Sequence, residues 1–579
     1  IKFFTCSSLF LQSNSITTGS GYKMDISHYL ELDGLLDLKG ESQLVQRYNS
    51  ELKPSSSGYI LQRQQGTANK YNYNYWTSPV NPQNITANNT DWSIKGIFKD
   101  ESTGSVENLW FSGGYDGQPT SPATISTFWL YKFANLDGDY DNWQKIGENS
   151  LLHVGEAFTM KGPGSGGISD TYNGYVFKGK PNNATSRSTV QLPITAGKSY
   201  LIGNPFPSAL DANDFINANN MLSGTLYFWE HWGGESHNLR DYQGGYAMYN
   251  LSGGTQAMAD PLVSQTNANG ALKGAPQRYI PVGQGFFVDG DTSGNIIFDN
   301  SQRDFVREPS GSSVFFLTSD HPQTNSATRD RSIPNIQLPP DDSAKDLEDL
   351  RAKIRLGFDN RDDKHRQLLV TEDPNTTMGR DKKYDGKVYE ILPDDMNWKI
   401  GQDNYVIQGI PKFDQDLVLP LMLKIDNAGL VTIKIDSLQN FPESLDVLIK
   451  DKVQNTYTNL RETTFTINLE RNTYNDRFEL VFKDGNGNGS LGLEDETLTA
   501  SDISIFYRKV DKNIVIRKSQ AAKVTAARLY NILGQEIQVY KIDEPYGENT
   551  LPVNNIATGT YLLKLDTNGG TITKKLIIN

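Results

Sequence analysis

Almost nowhere along these 579 residues do apolar side chains recur at the three-and-four spacing of a helix. The pattern is instead short runs rich in Val, Ile, Tyr, Phe and Thr, broken by Gly, Asn, Asp and Pro, which predicts an all-β, multi-domain chain. One stretch departs from it. Asp341 to Leu356 (DDSAKDLEDLRAKIRL) carries acidic residues early and basic residues late, as a helix dipole prefers, and predicts a turn or two of helix. With 51 Gly, 25 Pro and 11% aromatic residues the chain is turn-rich and folded. Its net charge of −13 repels phosphate and argues against nucleic acid as a partner.

A single cysteine, Cys6, excludes an internal disulfide framework and a thiolate metal cluster. No apolar run approaches the roughly 18 residues that span a bilayer. The longest, near Val418–Ile425, has the length of a strand, so no transmembrane segment is expected. The opening IKFFTCSSLFLQ reads as an internal strand and not as a signal peptide, with the expectation that further residues precede it.

Seven segments follow along the chain. In residues 1–65, Leu30, Leu32, Leu35, Leu36, Leu38 and Leu44 fall in short rungs with Gly34 and Gly40 at the corners. Two readings stay open there, the end of a parallel β-helix and a plain β-meander. The next segments hide a duplication: Gly155-Glu-Ala-Phe-Thr-Met-Lys-Gly162 and Gly283-Gln-Gly-Phe-Phe-Val-Asp-Gly290 share the frame G-x-x-F-x-x-x-G, and each continues to a Ser-Gly. Tyr75-Trp-Thr-Ser-Pro79 precedes the first copy and Tyr200-Leu-Ile-Gly-Asn-Pro205 the second, which predicts two related β-units, 66–190 and 191–312. A polar linker (313–349) leads to a β-sandwich at 350–483. A Gly/Asn-rich linker (484–502) then precedes a small Ig-like sandwich at 503–579.

The strongest motif lies in that last segment. It contains Leu529-Tyr530-Asn-Ile-Leu-Gly534-Gln535-Glu-Ile, then Gly559-Thr-Tyr561, and ends at Thr-Lys574-Lys575-Leu-Ile-Ile-Asn579. This module resembles the type A C-terminal sorting domain of the Bacteroidota type IX secretion system. The resemblance implies that Tyr530, Gly534, Gln535, Gly559, Tyr561, Lys574 and Lys575 belong to an address read by the outer-membrane translocon and its shuttle barrel. It also implies passage through the periplasm to the cell surface and later removal of the domain. The run Ile202-Gly-Asn-Pro-Phe-Pro-Ser-Ala-Leu-Asp211, together with Gly283–Val288, is similar to large secreted flavobacterial surface proteins. That likeness implies an adhesin or a gliding-associated component.

No HExxH, GxSxG or Walker spacing occurs, so the expectation is a non-enzymatic protein. The alternative is a secreted carbohydrate-binding or carbohydrate-active enzyme with an unidentified acid pair. The densest patch runs from Tyr227 through Trp229-Glu230-His231-Trp232 and His237 to Tyr242. Its rings Trp229, Trp232 and Tyr242 are candidates for stacking on surface glycans. On a regular strand Glu230 and Trp232 share a face and His231 points the other way. His365, in a charged run, reads as solvated. No cofactor is called for, with calcium as the one candidate. Its donors would be the alternating carboxylates Asp137, Asp139 and Asp141, or Asp484, Asn486 and Asn488. Asp342-Ser343-Ala and Asp436-Ser437-Leu match the Bacteroidota O-glycosylation pattern, with Ser343 and Ser437 as acceptors.

Overall fold

The computed structural model describes residues 2–164, 172–233, 236–238, 241–258, 274–308, 349–389 and 392–483, and in the C-terminal region 503–508, 512–518, 524–531, 535–542, 548–553, 556–557, 559–567 and 570–578. The chain forms two compact units, Ile1–Gly487 and Asn488–Asn579. Strands dominate both, and the α-helices among the described residues are the short Ile94–Ile97 and Ala212–Ala218. The helix expected over 341–356 is not formed where it can be seen. Lys353–Asp359 is a strand whose Ile354, Leu356 and Phe358 are buried, because tertiary burial of alternate residues outweighs the local charge pattern. The rest of that stretch, 341–348, lies outside the described residues.

At the N-terminus, Lys2–Leu11, Tyr22–Leu32 and Gln43–Gln46 pair in parallel on one sheet. Ser15–Thr17, Leu35–Leu38 and Tyr59–Thr67 do so on a second. Parallel neighbours cannot be a meander; they are successive coils of a solenoid. Ile26, Leu30, Leu32, Leu36, Leu38 and Leu44 fill the space between the sheets. A Cβ on Gly34 would lie 2.1 Å from the Asn14 carbonyl oxygen, and one on Gly58 2.2 Å from that of Gly34, so the coils touch backbone to backbone at this corner.

The two G-x-x-F segments are interlocked. Trp76 pairs with Phe158 and Ile202 with Phe286 on neighbouring strands. Across the segments Trp76 bridges to Gln284, and Ile202 to Glu156, the residue at the matching place in the other frame. The backbone bonds repeat the exchange: Thr77 N–H donates to the Gly283 carbonyl at 2.9 Å, and Gly203 N–H to that of Gly155 at 3.0 Å. Gly155 (φ +91°) faces the ring of Phe298, and Gly283 (φ +74°) that of Phe177, each with 3.0 Å for an added Cβ. Each frame therefore closes over an aromatic ring from the other segment. The register equates Trp76 with Ile202, one residue away from the Tyr75/Tyr200 match of the sequence, and agrees with the Pro79/Pro205 landmarks. Around Trp76 the rings of Phe98, Phe158, Tyr175 and Phe177 form one buried aromatic core.

The described residues of 353–481 form eleven strands in one sheet, ten in a continuous order and Gly386–Lys387 branching onto Asp403–Ile410. Its core is shared: Tyr75, Phe133, Tyr227, Met248 and Phe287 pack with Ile354, Trp398, Leu421 and Phe478 in one cluster. His365 lies here and is not solvated, a correction to its sequence reading. Its Nδ1 meets Asp359 Oδ1 at 2.6 Å and its Nε2 meets Asp436 Oδ2 at 2.9 Å. Burial opposes the charged imidazole, but the two carboxylates outweigh it and push its pKa up to about 9 from 6.5. A folded pKa above the unfolded one stabilises fully below pH ~6.5 and is lost as pH rises through about 9. The unfolding free energy of the first unit, measured with urea, is thus expected to fall over this window by on the order of 2 kcal/mol. His365→Gln is expected to flatten that dependence.

Candidate functional site

The C-terminal unit has a closed core of its own. Its described strands form a three-stranded sheet (Ile503–Arg508, Asn513–Lys518, Glu548–Pro552) and a four-stranded one (Val524–Asn531, Glu536–Lys541, Gly559–Thr567, Gly570–Ile578). Ile514, Ile516, Leu529, Leu551, Leu563, Leu565 and Leu576 are buried between them. The Tyr-Asn-x-x-Gly-Gln turn has a physical reason. Asn531 N–H donates to the Gln535 carbonyl at 3.0 Å, its Oδ1 accepts the Gln535 N–H at 3.0 Å, and its Nδ2 donates to Gln535 Oε1 at 2.8 Å. The two residues staple the hairpin three times over. Tyr530 donates to Glu536 Oε2 at 3.2 Å. Tyr561 is buried and donates its hydroxyl to the Ala557 carbonyl at 2.8 Å. Gly559 pairs with Ile578, and Lys574, exposed, with Leu563. Lys575 faces Leu562 on the ladder, while Gly534 lies outside the described residues.

In the first unit, the seventh position of the first frame builds a site that the sequence did not reveal. Lys161 is buried with its Nζ 3.7 Å from the Trp129 ring centre, 4.7 Å from Tyr73 and 4.8 Å from Tyr242. The amine also bonds the Tyr242 hydroxyl at 2.6 Å and His237 Nδ1 at 3.2 Å. Burial lowers its pKa to about 7, against a weaker opposing pull from Asp116. His237 stacks on Trp129 at 5.0 Å and meets Asp116 Oδ1 through Nε2 at 2.6 Å; Lys70 holds the other oxygen at 2.8 Å. These ion-pair hydrogen bonds, Lys70 first, hold the Asp116 carboxyl below its usual range. In the second frame the matching position is Asp289, half-buried and bonded by the Ser199 hydroxyl at 2.6 Å, so the paired frames place an acid where the other has a base.

The box opens onto a surface. Tyr115, 58% exposed, lies 4.4 Å from Phe128 and 5.9 Å from Trp129, and the Trp129 indole N–H donates to its carbonyl at 2.7 Å. Lys145 Nζ sits 4.5 Å over Phe128. Tyr140, 62% exposed, is electrostatic neighbour to Tyr73 and Tyr242. A run of rings thus faces solvent beside the polar set Asp116, Lys70 and His237. By contrast, the pocket between Gly244, Tyr246, Arg366 and Tyr389 encloses about 10 Å³, room for about one water.

Of the sequence-predicted rings whose side chains are described, Tyr242 joins this cluster. Trp229 is half-buried against Tyr246 and His231, and the side chain of Trp232 lies outside the described residues. A register shift between His231 and Gly233 breaks the regular alternation of that strand. Asp137, Asp139 and Asp141 are exposed on one loop: Asp137 pairs with Lys198 at 2.6 Å and Asp139 caps a 3₁₀ turn at Asp141. Among the described residues no three His, Cys, Asp or Glu side chains gather to hold a metal ion. Asp484, Asn486, Asn488 and Ser343 lie outside the described residues. Ser437 is exposed on the Gly429–Gln439 strand beside Asp436, whose carboxylate is taken by His365 and Gln367.

Residues 5–482 match a family described as a domain of unknown function (DUF8693). The chain belongs to the DUF8693 family. Residues 510–579 of this DUF8693 protein match the secretion system C-terminal sorting domain, which identifies a type IX substrate of Bacteroidota origin delivered to the cell surface. No curated protein matches the chain. Among solved structures it has a likeness to Tp47, the 47-kilodalton lipoprotein of Treponema pallidum (10% identity, TM-score 0.12, 64% of this chain and 92% of that one). A second is the BSP domain of a biofilm-associated protein (9% identity, TM-score 0.12, 91% of each chain). At such scores neither carries an argument. The matched families include no catalytic one, and among the described residues no helix is long and apolar enough to cross a membrane.

Proposed function

We propose that this DUF8693 protein is a non-catalytic surface adhesin that meets polysaccharide with the rings around Tyr115, Phe128 and Tyr140. The observation that supports it is the solvent-facing ring cluster with Asp116, Lys70 and His237 at its side. Sugar rings lay their C–H faces on aromatic planes while hydroxyls take the neighbouring polar atoms. A surface of this kind suits a polymer better than a pocket with room for one water. A glycosidase would need two carboxyl groups roughly 5–10 Å apart across a cleft. Asp116, a carboxylate at the cluster, has both oxygens engaged by Lys70 and His237. Delivery by the sorting domain places this surface where extracellular polymers are met.

Glycan arrays followed by calorimetry on residues 1–487 test the reading. Tyr115→Ala is expected to weaken binding to the best-bound oligosaccharide by about tenfold, the loss of one stacking ring. Unchanged affinity, or no glycan bound at all, would count against it.

A further inference from the structure

The exposed rings of the surface hang from one buried amine. Lys161 is 2% exposed, and its Nζ lies 3.7 Å from the centre of Trp129. The Trp129 indole N–H holds the Tyr115 carbonyl at 2.7 Å, and Tyr115 in turn lies 4.4 Å from Phe128. A second route to Tyr115 runs through His237, which stacks on Trp129 at 5.0 Å and lies 6.1 Å from the Tyr115 ring. Hydrogen bonds set the roles of the imidazole nitrogens. Nε2 faces Asp116 Oδ1, an acceptor whose other oxygen is held by Lys70, so Nε2 carries the proton. Nδ1 is then an acceptor. At 3.2 Å it takes a hydrogen from the Lys161 ammonium, which donates another to the Tyr242 hydroxyl at 2.6 Å. The ammonium thus turns His237 and is itself held over the rings of Trp129, Tyr73 and Tyr242. A neutral amine makes the hydrogen bonds at reduced strength and loses the attraction to the rings.

We propose that Lys161 is the positioning residue of this surface, its ammonium setting Trp129 and His237 and through them Tyr115, so that ligand is bound only by the charged form, a role that rests on the glycan reading of these rings. Among the described residues, the titrating and charged groups at the amine come from each element around it. Asp116 acts on it and favours its charge, Lys70 is spent on Asp116, and His231 turns its Nδ1 to the Tyr73 backbone N–H. Tyr73, Tyr140 and Tyr242 stay neutral, because burial pushes their phenols up, that of Tyr242 to about 12. Burial outweighs Asp116 at Lys161 and brings the amine down from 10.5 to about 7. The charged form is complete well below that value and is lost as pH rises through it. Apparent affinity follows the charged fraction, about tenfold weaker at pH 8 than at pH 6.

The test is fluorine NMR of the full chain carrying 5-fluorotryptophan, with the Trp129 resonance assigned by Trp129→Phe, beside binding to laminarin, xylan and pectin between about pH 6 and pH 8. The wild-type Trp129 resonance is expected to shift with a midpoint near 7. Affinity for whichever polymer binds is expected to fall about tenfold over the same range. Lys161→Arg, always charged and able to stack on rings, is expected to remove the transition and keep the affinity at its low-pH value throughout. Lys161→Met is expected to remove the transition and leave the affinity at its high-pH value. A merely structural lysine would leave the affinity of folded Lys161→Met at the wild-type level, and that result would overturn the proposal. So would a wild-type Trp129 resonance that ignores pH, or a transition that persists in Lys161→Arg, which would belong to His237. A resonance that titrates as expected while no polymer binds at any pH would refute the glycan reading and leave the setting of Trp129 by Lys161 standing.

Discussion

Removing residues 503–579 is expected to abolish surface delivery and leave the remainder of the chain in the periplasm. The deleted piece contains the matched sorting domain and falls within a compact unit of its own, so its loss removes the address without cutting a strand of the first unit. Fractionation and protease shaving of intact cells read the outcome. A subtler form of the experiment is Tyr561→Ala, which empties a buried ring position and deletes the bond to the Ala557 carbonyl. It is expected to destabilise the isolated unit by about 3 kcal/mol and to reduce delivery in proportion to the folded fraction lost. Wild-type export of the 503–579 deletion would contradict the assignment of this unit as the address.

Trp76→Ala is expected to be among the most damaging single changes in the first unit, at about 4 kcal/mol. Trp76 is fully buried, pairs with Phe158 in its own segment, bridges to Gln284 in the other, and touches Phe98, Tyr175 and Phe177. Its loss leaves a cavity where the two segments interlock, which neighbours anchored in both cannot collapse to fill. Gly155→Ala and Gly283→Ala strain the same place from the backbone: each puts a Cβ at positive φ and 3.0 Å from a ring of the opposite segment. Each is expected to cost about 2 kcal/mol. Urea unfolding followed by tryptophan fluorescence measures all three. A Trp76→Ala change below about 1 kcal/mol would mean that the interlock is not a stability centre.

These two sites also mark how far residues alone could be read. The Tyr-Asn-x-x-Gly-Gln turn was legible because its partners, Asn531 and Gln535, lie four residues apart and bond each other. The Leu rungs and Gly34 were legible for a similar reason, a short period with glycine where backbones touch. The register between the two G-x-x-F segments could not be read, since a one-residue shift is decided by pairing across them. The Lys161 box left little local signal. Its rings and partners come from positions 73, 129, 237 and 242, and only the fold brings them to one amine. What hinted at it was the lysine itself, a charged residue inside an apolar frame whose second copy has Asp289. His365 was misread for a like reason: Asp436, 71 residues away, is half of its clamp. The charge pattern at 341–356 shows the reverse error, a local preference overruled by burial of Ile354 and Leu356.

The most direct measurement is adhesion of cells that display equal amounts of the wild-type chain and a Tyr115→Ala, Phe128→Ala variant, with display fixed by surface labelling. Export through the sorting domain together with recognition through the ring surface predicts equal display and at least a tenfold loss of polysaccharide binding for the variant. Equal display with unchanged binding would contradict the account.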